Sequence, residues 1–180
     1  MTAAPPKSAL MVVDMQGGAL DGAWDVPGVV GRIAGMVDRA RTHNVPVVWV
    51  RHSSSQMPID SADWQIVPGL TPASGEHIIE KRYSDSFDDT NLGQVLSDLG
   101  VSKLVVTGAQ SDACVLSTIF GGFARGYNVE LVADGHTTSD KSAYGAPPPD
   151  QVIEFINNVW RYRSAPDRKA TVITADAFPG

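Results

Sequence analysis

Cysteine is nearly absent from this sequence: the 180 residues contain only one, Cys114. A single cysteine cannot form an intrachain disulfide, so the sequence gives no sign of an oxidising compartment. Positive charge is also scarce, because 14 Lys and Arg residues face 20 Asp and Glu residues for a net charge of −6. No basic cluster offsets this acidity, which argues against a nucleic-acid partner.

Long apolar runs are missing as well. No stretch approaches the length of a transmembrane helix, and residues 1–7 lack the apolar region of a signal peptide. We therefore expect a soluble, cytoplasmic protein that binds no membrane. The length and the 43% hydrophobic content predict one globular domain over residues 1–180, with residues 1–7 flexible.

Short apolar runs alternate with stretches of helical periodicity along the whole chain. The runs that read as buried strands are 9–13, 45–50, 78–79, 103–108, 129–133 and 171–174. The helical patterns cover 29–40, 92–99, 114–126 and 152–159. Continuous apolar strands that alternate with helices predict an α/β fold, with a parallel sheet covered on both faces.

The one cysteine stands where a strand turns into a helix. The strand at 103–108 breaks over Gly108 to Ala113, and helical character resumes at Cys114. A thiol at a helix N-terminus is favoured as the thiolate, and the N–H groups of such a turn can receive an oxyanion. This position favours a nucleophile, while a buried structural cysteine is the simpler alternative.

Three polar residues come at the ends of predicted strands: Asp14, Lys81 and Cys114. Parallel strands bring their carboxyl ends to one edge of the sheet, where ligands bind in such folds. Asp14 would accept the thiol proton as a general base, and Lys81 would lower the thiol pKa. Alternatively, Asp14 is only a turn or helix cap and Lys81 only a solvated charge.

Three segments, in order, resemble the isochorismatase-like cysteine hydrolase superfamily, whose members include isochorismatases, nicotinamidases and N-carbamoylsarcosine amidases. They are Leu10–Gln16, Glu80–Phe87 with Thr90–Leu92 behind it, and Val105–Val115. The resemblance extends over residues 8–174. It implies a three-layer α/β/α sandwich, Rossmann-like, with a six-stranded parallel sheet.

The resemblance also implies a set of site residues. The catalytic triad would be Asp14, Lys81 and Cys114. A non-proline cis peptide between Ala109 and Gln110 would help to shape the oxyanion hole, with the Gln110 and Cys114 N–H groups as donors. Members of the family are commonly oligomers, so we expect a homo-oligomer, a dimer or tetramer, in which the 53–76 loop could complete a neighbour's pocket.

The departures from the family pattern bear on the substrate. The nicotinamidase branch has an Asp-x-His metal site after strand two, but Arg51 occupies the Asp position here. We therefore expect no catalytic metal and no cofactor. True isochorismatases cleave a vinyl ether by acid catalysis and many lack the cysteine. Retention of Cys114 predicts hydrolysis of a C–N bond (amide, carbamoyl or lactam) in a small molecule, through a thioester acyl-enzyme.

Several further side chains are candidates for the substrate pocket. They are Gln16, His52, Tyr83 and Phe87. Trp24 and Trp64 could cover a ligand or simply pack. His136 could pair with Cys114, which would be the main rival mechanism.

Two other functions stay open. An isochorismatase-type vinyl ether hydrolase is the alternative enzyme, and a ligand-binding module without turnover is the alternative from another class. A dinucleotide-binding dehydrogenase is excluded, because Gly17-Gly18 after the first strand lacks the Gly-x-Gly-x-x-Gly spacing.

Overall fold

A computed structural model describes residues 7–178 of the chain. The strands are β1 (Ser8–Val13), β2 (Val47–His52), β3 (His77–Lys81), β4 (Lys103–Ala109), β5 (Asn128–Thr137), β6 (Ser164–Ala165) and β7 (Arg168–Ile173). The helices are α1 (Val26–Thr42), α2 (Leu92–Asp98), α3 (Leu116–Ala124) and α4 (Pro149–Arg161). Short 3₁₀ turns occur at Gly18–Leu20, Ser142–Tyr144 and Ala175–Ala177, and a π-helical turn occurs at Ser111–Val115.

The strands form one sheet in the order β3-β2-β1-β4-β5-β7-β6. Every neighbouring pair is parallel except β6 and β7. The predicted α/β fold with a parallel sheet is confirmed, but the predicted count of six strands is wrong by one. The additional strand, Ser164–Ala165, pairs antiparallel with the start of β7. Two residues are too few to show a hydrophobic period in the sequence.

The two faces of the sheet carry separate cores, which makes the fold a three-layer sandwich. Successive β1 side chains point to opposite faces, so Leu10 and Val12 pack with α1 while Met11 and Val13 pack with α2, α3 and α4. On the α1 side the helix contributes Val29, Ile33, Met36, Val37 and Ala40. On the other side the helices contribute Leu92, Val95, Leu96, Ile119, Phe123, Ile156 and Trp160.

Strand β5 is longer than the sequence predicts. The apolar run ends at Ala133, yet the strand continues through polar residues to Thr137. Leu131 pairs with Val106 and His136 with Gly108, so β5 carries extra residues in a bulge between these two pairs. The bulge places His136 at the same edge of the sheet as the end of β4.

The first described residue and the long 53–76 loop are both held against the rest of the fold. The predicted flexible segment 1–7 lies outside the described residues except for Lys7, which is held: its carbonyl accepts the Ser102 and Lys103 N–H groups at 2.9 and 3.1 Å. The 53–76 loop is irregular but anchored, with Met57, Trp64 and Leu70 buried. Within residues 7–178, no helix has the length and apolar character needed to cross a bilayer.

Candidate active site

Three charged or reactive side chains from three different strand ends meet at the carboxyl edge of the sheet. Lys81, the last residue of β3, places its Nζ 2.7 Å from Asp14 Oδ2 and 3.1 Å from Cys114 Sγ. The same ammonium donates to the Tyr83 carbonyl at 3.1 Å and lies 3.5 Å from His52 Nδ1. The structure therefore brings together the residues that the sequence predicts as a triad.

Asp14 is a buried carboxylate at the end of β1. It follows β1 with φ of 47°, a left-handed conformation that Asp tolerates better than most residues. Its side chain is 2% exposed. Its Oδ2 lies 2.7 Å from the Lys81 ammonium, and the Cys114 thiol is its second hydrogen-bond partner. Asp14 therefore forms a buried ion pair with Lys81 and lies where it can accept the Cys114 proton.

A glycine at the end of β4 makes this convergence sterically possible. Gly108 has φ of +123°, and a Cβ built there would lie 1.9 Å from the Val13 carbonyl oxygen. Only glycine lets the two backbones approach so closely and in this conformation. The close approach sets the turn that carries Cys114 directly beside Asp14.

Cys114 lies within the π-helical turn, not at the first residue of α3, which begins at Leu116. The peptide bond between Ala109 and Gln110 is cis. The Ala113 and Val115 N–H groups both donate to the Gln110 carbonyl at 3.1 Å, whereas no hydrogen bond within residues 7–178 has the Gln110 N–H as donor. A free donor thus accompanies the thiol at this turn.

The electrostatics of the thiol correct one expectation. Burial, and then the Asp14 carboxylate, raise the pKa of Cys114 to about 11, and Lys81 opposes them without overcoming them. Burial also raises the pKa of Asp14 against the lowering effect of Lys81. The direction of this shift is opposite to the predicted stabilisation of a thiolate.

Cys114 and Asp14 open onto a cavity of about 600 Å³. The segments that wall it are the turn after β1, the start of the 53–76 loop, and the turn before α3. Its other lining residues are Gly17, Gly18, Ala19, Asp21, His52, Ser54, Gln56, Met57, Asp63, Ala109, Gln110 and Ala113. Among the residues that the structure describes, the cavity wall therefore includes Asp21 and Asp63 as further carboxylates and no Lys or Arg.

Of the predicted pocket residues, His52 lines the cavity. Burial and the Lys81 charge lower its pKa. Gln16 does not line it: the side chain is buried, accepts the His52 N–H at 2.7 Å and donates to the His52 and Trp64 carbonyls at 3.0 and 2.7 Å. The prediction for Gln16 is wrong because its amide is used to join β2 to the 53–76 loop.

Tyr83 and Phe87 are not pocket walls either. Tyr83 is exposed and lines a neighbouring surface groove with Ile59 and Arg82, which adjoins the cavity at Ser54. Phe87 is buried in the core beneath α2 and α3 and faces Tyr127. The sequence predicts both as pocket residues because they closely follow Lys81, but the chain turns away from the cavity after Lys81.

The tryptophans and His136 also lie away from the cavity. Trp24 is exposed, and Trp64 is buried beneath the Arg51 guanidinium, 3.7 Å from the ring centre. His136 bonds Ser111 and Asn157 through its two ring nitrogens. Both ring nitrogens of His136 are therefore engaged by residues other than Cys114.

Sequence reasoning missed most of the loop residues that wall the cavity. Gly17 and Gly18 were the available signal, since two small residues three and four positions after Asp14 leave room for a ligand. A Cβ on Gly18 would meet Met57 Sδ at 3.0 Å and Asp63 Cβ at 3.1 Å. Asp63 and Met57 themselves carry no local signal, because only tertiary folding of the loop brings them here.

The place of the nicotinamidase metal ligand holds a positive charge. Arg51 forms an ion pair with Glu80 on the neighbouring strand and stacks on Trp64. Within residues 7–178, no group of three or more His, Cys, Asp or Glu side chains is arranged to hold a metal ion.

The fold and site together define a class of protein: mostly parallel α/β sandwiches in which a buried Asp and Lys adjoin a partly exposed Cys at the carboxyl edge of the sheet. Comparison with known proteins gives the family. The model of the isochorismatase domain matches residues 8–146. The chain belongs to the isochorismatase family.

Individual relatives agree with this placement. A streptothricin hydrolase from Streptomyces noursei is 35% identical over 73% of this chain, which spans only 50% of that protein's length. The ureidoacrylate amidohydrolase RutB from Methylobacterium radiotolerans is 31% identical over 79% of this chain and 72% of its own. The crystal structure of an isochorismatase from Pseudomonas putida superposes with a TM-score of 0.83, at 29% identity, over 97% of this chain and 93% of its own.

Proposed function

We propose that this protein is a hydrolase that cleaves a C–N bond of a small molecule, with Cys114 as nucleophile, Asp14 as the proton carrier and Lys81 as the fixed positive charge. The observation that carries the proposal is the placement of the Lys81 ammonium within 2.7 Å of Asp14 and 3.1 Å of Cys114, at a cavity that Asp14 and Cys114 both line. Two relatives bear the names streptothricin hydrolase and ureidoacrylate amidohydrolase. The second name describes C–N hydrolysis.

The first half of the reaction acylates the enzyme. The thiol is protonated at rest, so attack and proton transfer occur together: the Cys114 sulfur bonds to the substrate carbonyl carbon while Asp14 takes the proton. The carbonyl oxygen becomes an oxyanion, for which the Gln110 and Cys114 N–H groups are the proposed donors. Asp14 then returns the proton to the leaving nitrogen as the C–N bond breaks, and a thioester remains.

The second half restores the enzyme. Asp14, again a carboxylate, removes a proton from a water molecule whose oxygen attacks the thioester carbon. The C–S bond breaks, the sulfur recovers the proton, and the acid leaves. The net change is one water consumed, with the acid and the amine or ammonia released.

Lys81 serves both halves without transferring a proton. Its positive charge favours the ionised forms of the Asp14 carboxyl and of the Cys114 thiol. Lys81 therefore acts to lower the pKa of each of these two groups. Because the side chain is fully buried, water screens this charge little. The proposal uses no metal, in keeping with the positive charge of Arg51 at the position of the nicotinamidase ligand.

The test is hydrolysis of a panel of primary amides, N-carbamoyl compounds, ureido acids and lactams, with isochorismate included. Wild type, Cys114→Ala, Asp14→Asn and the control Asp98→Asn are assayed side by side; Asp98 is an exposed residue of α2. We expect at least one amide to be hydrolysed by wild type and the control but by neither site variant. Isochorismate cleavage that survives Cys114→Ala would instead identify a vinyl ether hydrolase, with Asp14 as acid. Tight binding with no turnover of any compound would identify a binding module.

A further inference from the structure

The turn that carries Cys114 is attached to the end of β5 by three consecutive side chains. Gln110 Nε2 donates to Ser139 Oγ at 2.7 Å, Ser111 Oγ lies 2.7 Å from His136 Nδ1, and Asp112 Oδ1 accepts from Thr138 Oγ1 at 2.6 Å. The middle contact differs from the other two because both of its partners are fully buried.

The hydrogen-bond directions in this middle contact are determined by a chain of acceptors. Asn157 Nδ2 donates to the Ala133 carbonyl at 3.1 Å, and a carbonyl can only accept, so Asn157 Oδ1 is the atom that faces His136. His136 Nε2, 3.0 Å away, must therefore carry the proton and donate. In the neutral ring Nδ1 is then the acceptor, and the Ser111 hydroxyl donates to it.

The three residues resemble a serine nucleophile system in composition, yet they cannot act as one. Ser111 and His136 are 0% and 1% exposed and neither lines the cavity. Burial lowers the pKa of His136 to about 4, so the ring stays neutral and the directions above hold at neutral pH. A fully satisfied buried network of this kind fixes the position of the groups it contains.

We propose that Asn157, His136 and Ser111 form a positioning relay that holds the Cys114 turn in its reactive geometry. The inference rests on the proposed cysteine mechanism. In the chain, Ser111 lies between Gln110, whose N–H donates no hydrogen bond within residues 7–178, and Cys114. The contact of its hydroxyl with His136 therefore fixes the start of the turn that carries both the Gln110 N–H and the Cys114 thiol. His136 is held in turn by Asn157 on α4, which ties the nucleophile turn to a helix on the face of the sheet. These are positioning residues, since none of them lines the cavity.

The variants that test the relay are Ser111→Ala, Ser111→Thr and His136→Phe, with the exposed Ser97→Ala and His77→Asn as matched controls. If the turn loses a buried hydrogen bond and a polar atom is left unpaired, the cost is equivalent to a decrease in reaction rate of about 10- to 100-fold. We expect Ser111→Ala and His136→Phe to lower kcat by about this factor with KM within about threefold of wild type. Ser111→Thr, which keeps the hydroxyl, should restore kcat to within about threefold. A purely structural role predicts no such split between kcat and KM.

A folded Ser111→Ala protein with kcat within twofold of wild type would overturn the relay, and so would a folded Ser111→Thr protein as slow as Ser111→Ala. If the variants fail to fold, the ¹⁵N spectrum of wild type labelled at its four histidines still decides. We expect a His136 signal with Nε2 protonated and Nδ1 bare from pH 5 to pH 8. The opposite tautomer, or a ring that titrates near pH 6.5, would contradict the relay.

Failure of the relay and failure of the proposed function give different results. If wild type hydrolyses no amide, the function is wrong, while the His136 tautomer and the alkylation rate of Cys114 in Ser111→Ala still report on the relay. We expect that rate to differ at least about threefold from wild type, because the thiol loses its fixed position beside Lys81 and Asp14. An unchanged rate in a folded variant counts against the relay.

Discussion

Replacement of Lys81 by methionine tests whether the buried ion pair is a linked unit. Methionine keeps most of the length and the apolar stem of lysine but removes the ammonium. The Lys81 and Asp14 side chains are 0% and 2% exposed and their charged atoms are 2.7 Å apart. Removal of one partner from such a pair leaves an uncompensated buried charge, which costs about 3–5 kcal/mol of unfolding free energy.

The assay is thermal and urea unfolding at pH 7. For a chain of this size each kcal/mol corresponds to roughly 2–4 °C, so we expect the melting temperature of Lys81→Met to fall by roughly 6–20 °C. The matched control is Lys103→Met, at the opposite end of the sheet. Lys103 pairs with Glu130 at 3.0 Å, but both side chains are about one-fifth exposed, and we expect a loss of only about 1 kcal/mol.

A double variant completes the test. Asp14→Asn removes the charge that Lys81→Met leaves unpaired, so the double variant should be more stable than Lys81→Met alone, by about 2 kcal/mol or more. A Lys81→Met protein as stable as the Lys103→Met control would refute the reasoning. A double variant whose stability loss equals the sum of the two single losses would refute it as well.

Three further predictions follow from the same site. The alkylation rate of Cys114 with iodoacetamide should be low at pH 8 and should still rise between pH 9 and pH 11. Asp14→Asn should increase the rate at pH 8, because the Asp14 carboxylate raises the thiol pKa. A rate that levels off below pH 8 contradicts this prediction. His136 binds its proton in the unfolded chain near pH 6.5 but in the folded protein only near pH 4, so its contribution to stability is present above pH 6.5 and is lost as pH falls towards 4. Urea unfolding should show a loss of up to about 3 kcal/mol over that interval, which His136→Gln should largely remove; equal pH dependence in both proteins would count against it. Gly108→Ala should destabilise by at least about 3 kcal/mol or prevent folding, because its Cβ would clash with backbone, whereas Gly31→Ala on the open face of α1 should be neutral or stabilising; comparable stability of the two variants argues against the clash.

The sequence predicts the layers of this fold because buried strands appear as continuous apolar runs and the helices as periodic ones. The β1 run is apolar at every position and is buried on both faces, as a central parallel strand requires. Strand β6 and the polar half of β5 escape prediction for the opposite reason. Their places are set by pairing with neighbouring strands, so the segment itself carries no apolar pattern.

The candidate site divides in the same way. Asp14, Lys81 and Cys114 could be placed together because parallel strands deliver their ends to one edge. The positions of the Gln16 and Phe87 side chains could not be predicted, since the direction of a side chain after a strand depends on how the next turn packs. The raised pKa of Cys114 also escaped prediction, because burial beside Asp14 outweighs the Lys81 charge.

The most direct test of the central claim, a thioester on Cys114, is product partition with hydroxylamine. A series of substrates with one acyl group and different amine leaving groups is hydrolysed in the presence of hydroxylamine, and the ratio of hydroxamate to acid is measured. A common acyl-enzyme predicts one ratio for the whole series and no turnover in Cys114→Ala. A ratio that changes with the leaving group, or amide hydrolysis that survives Cys114→Ala, would contradict the account.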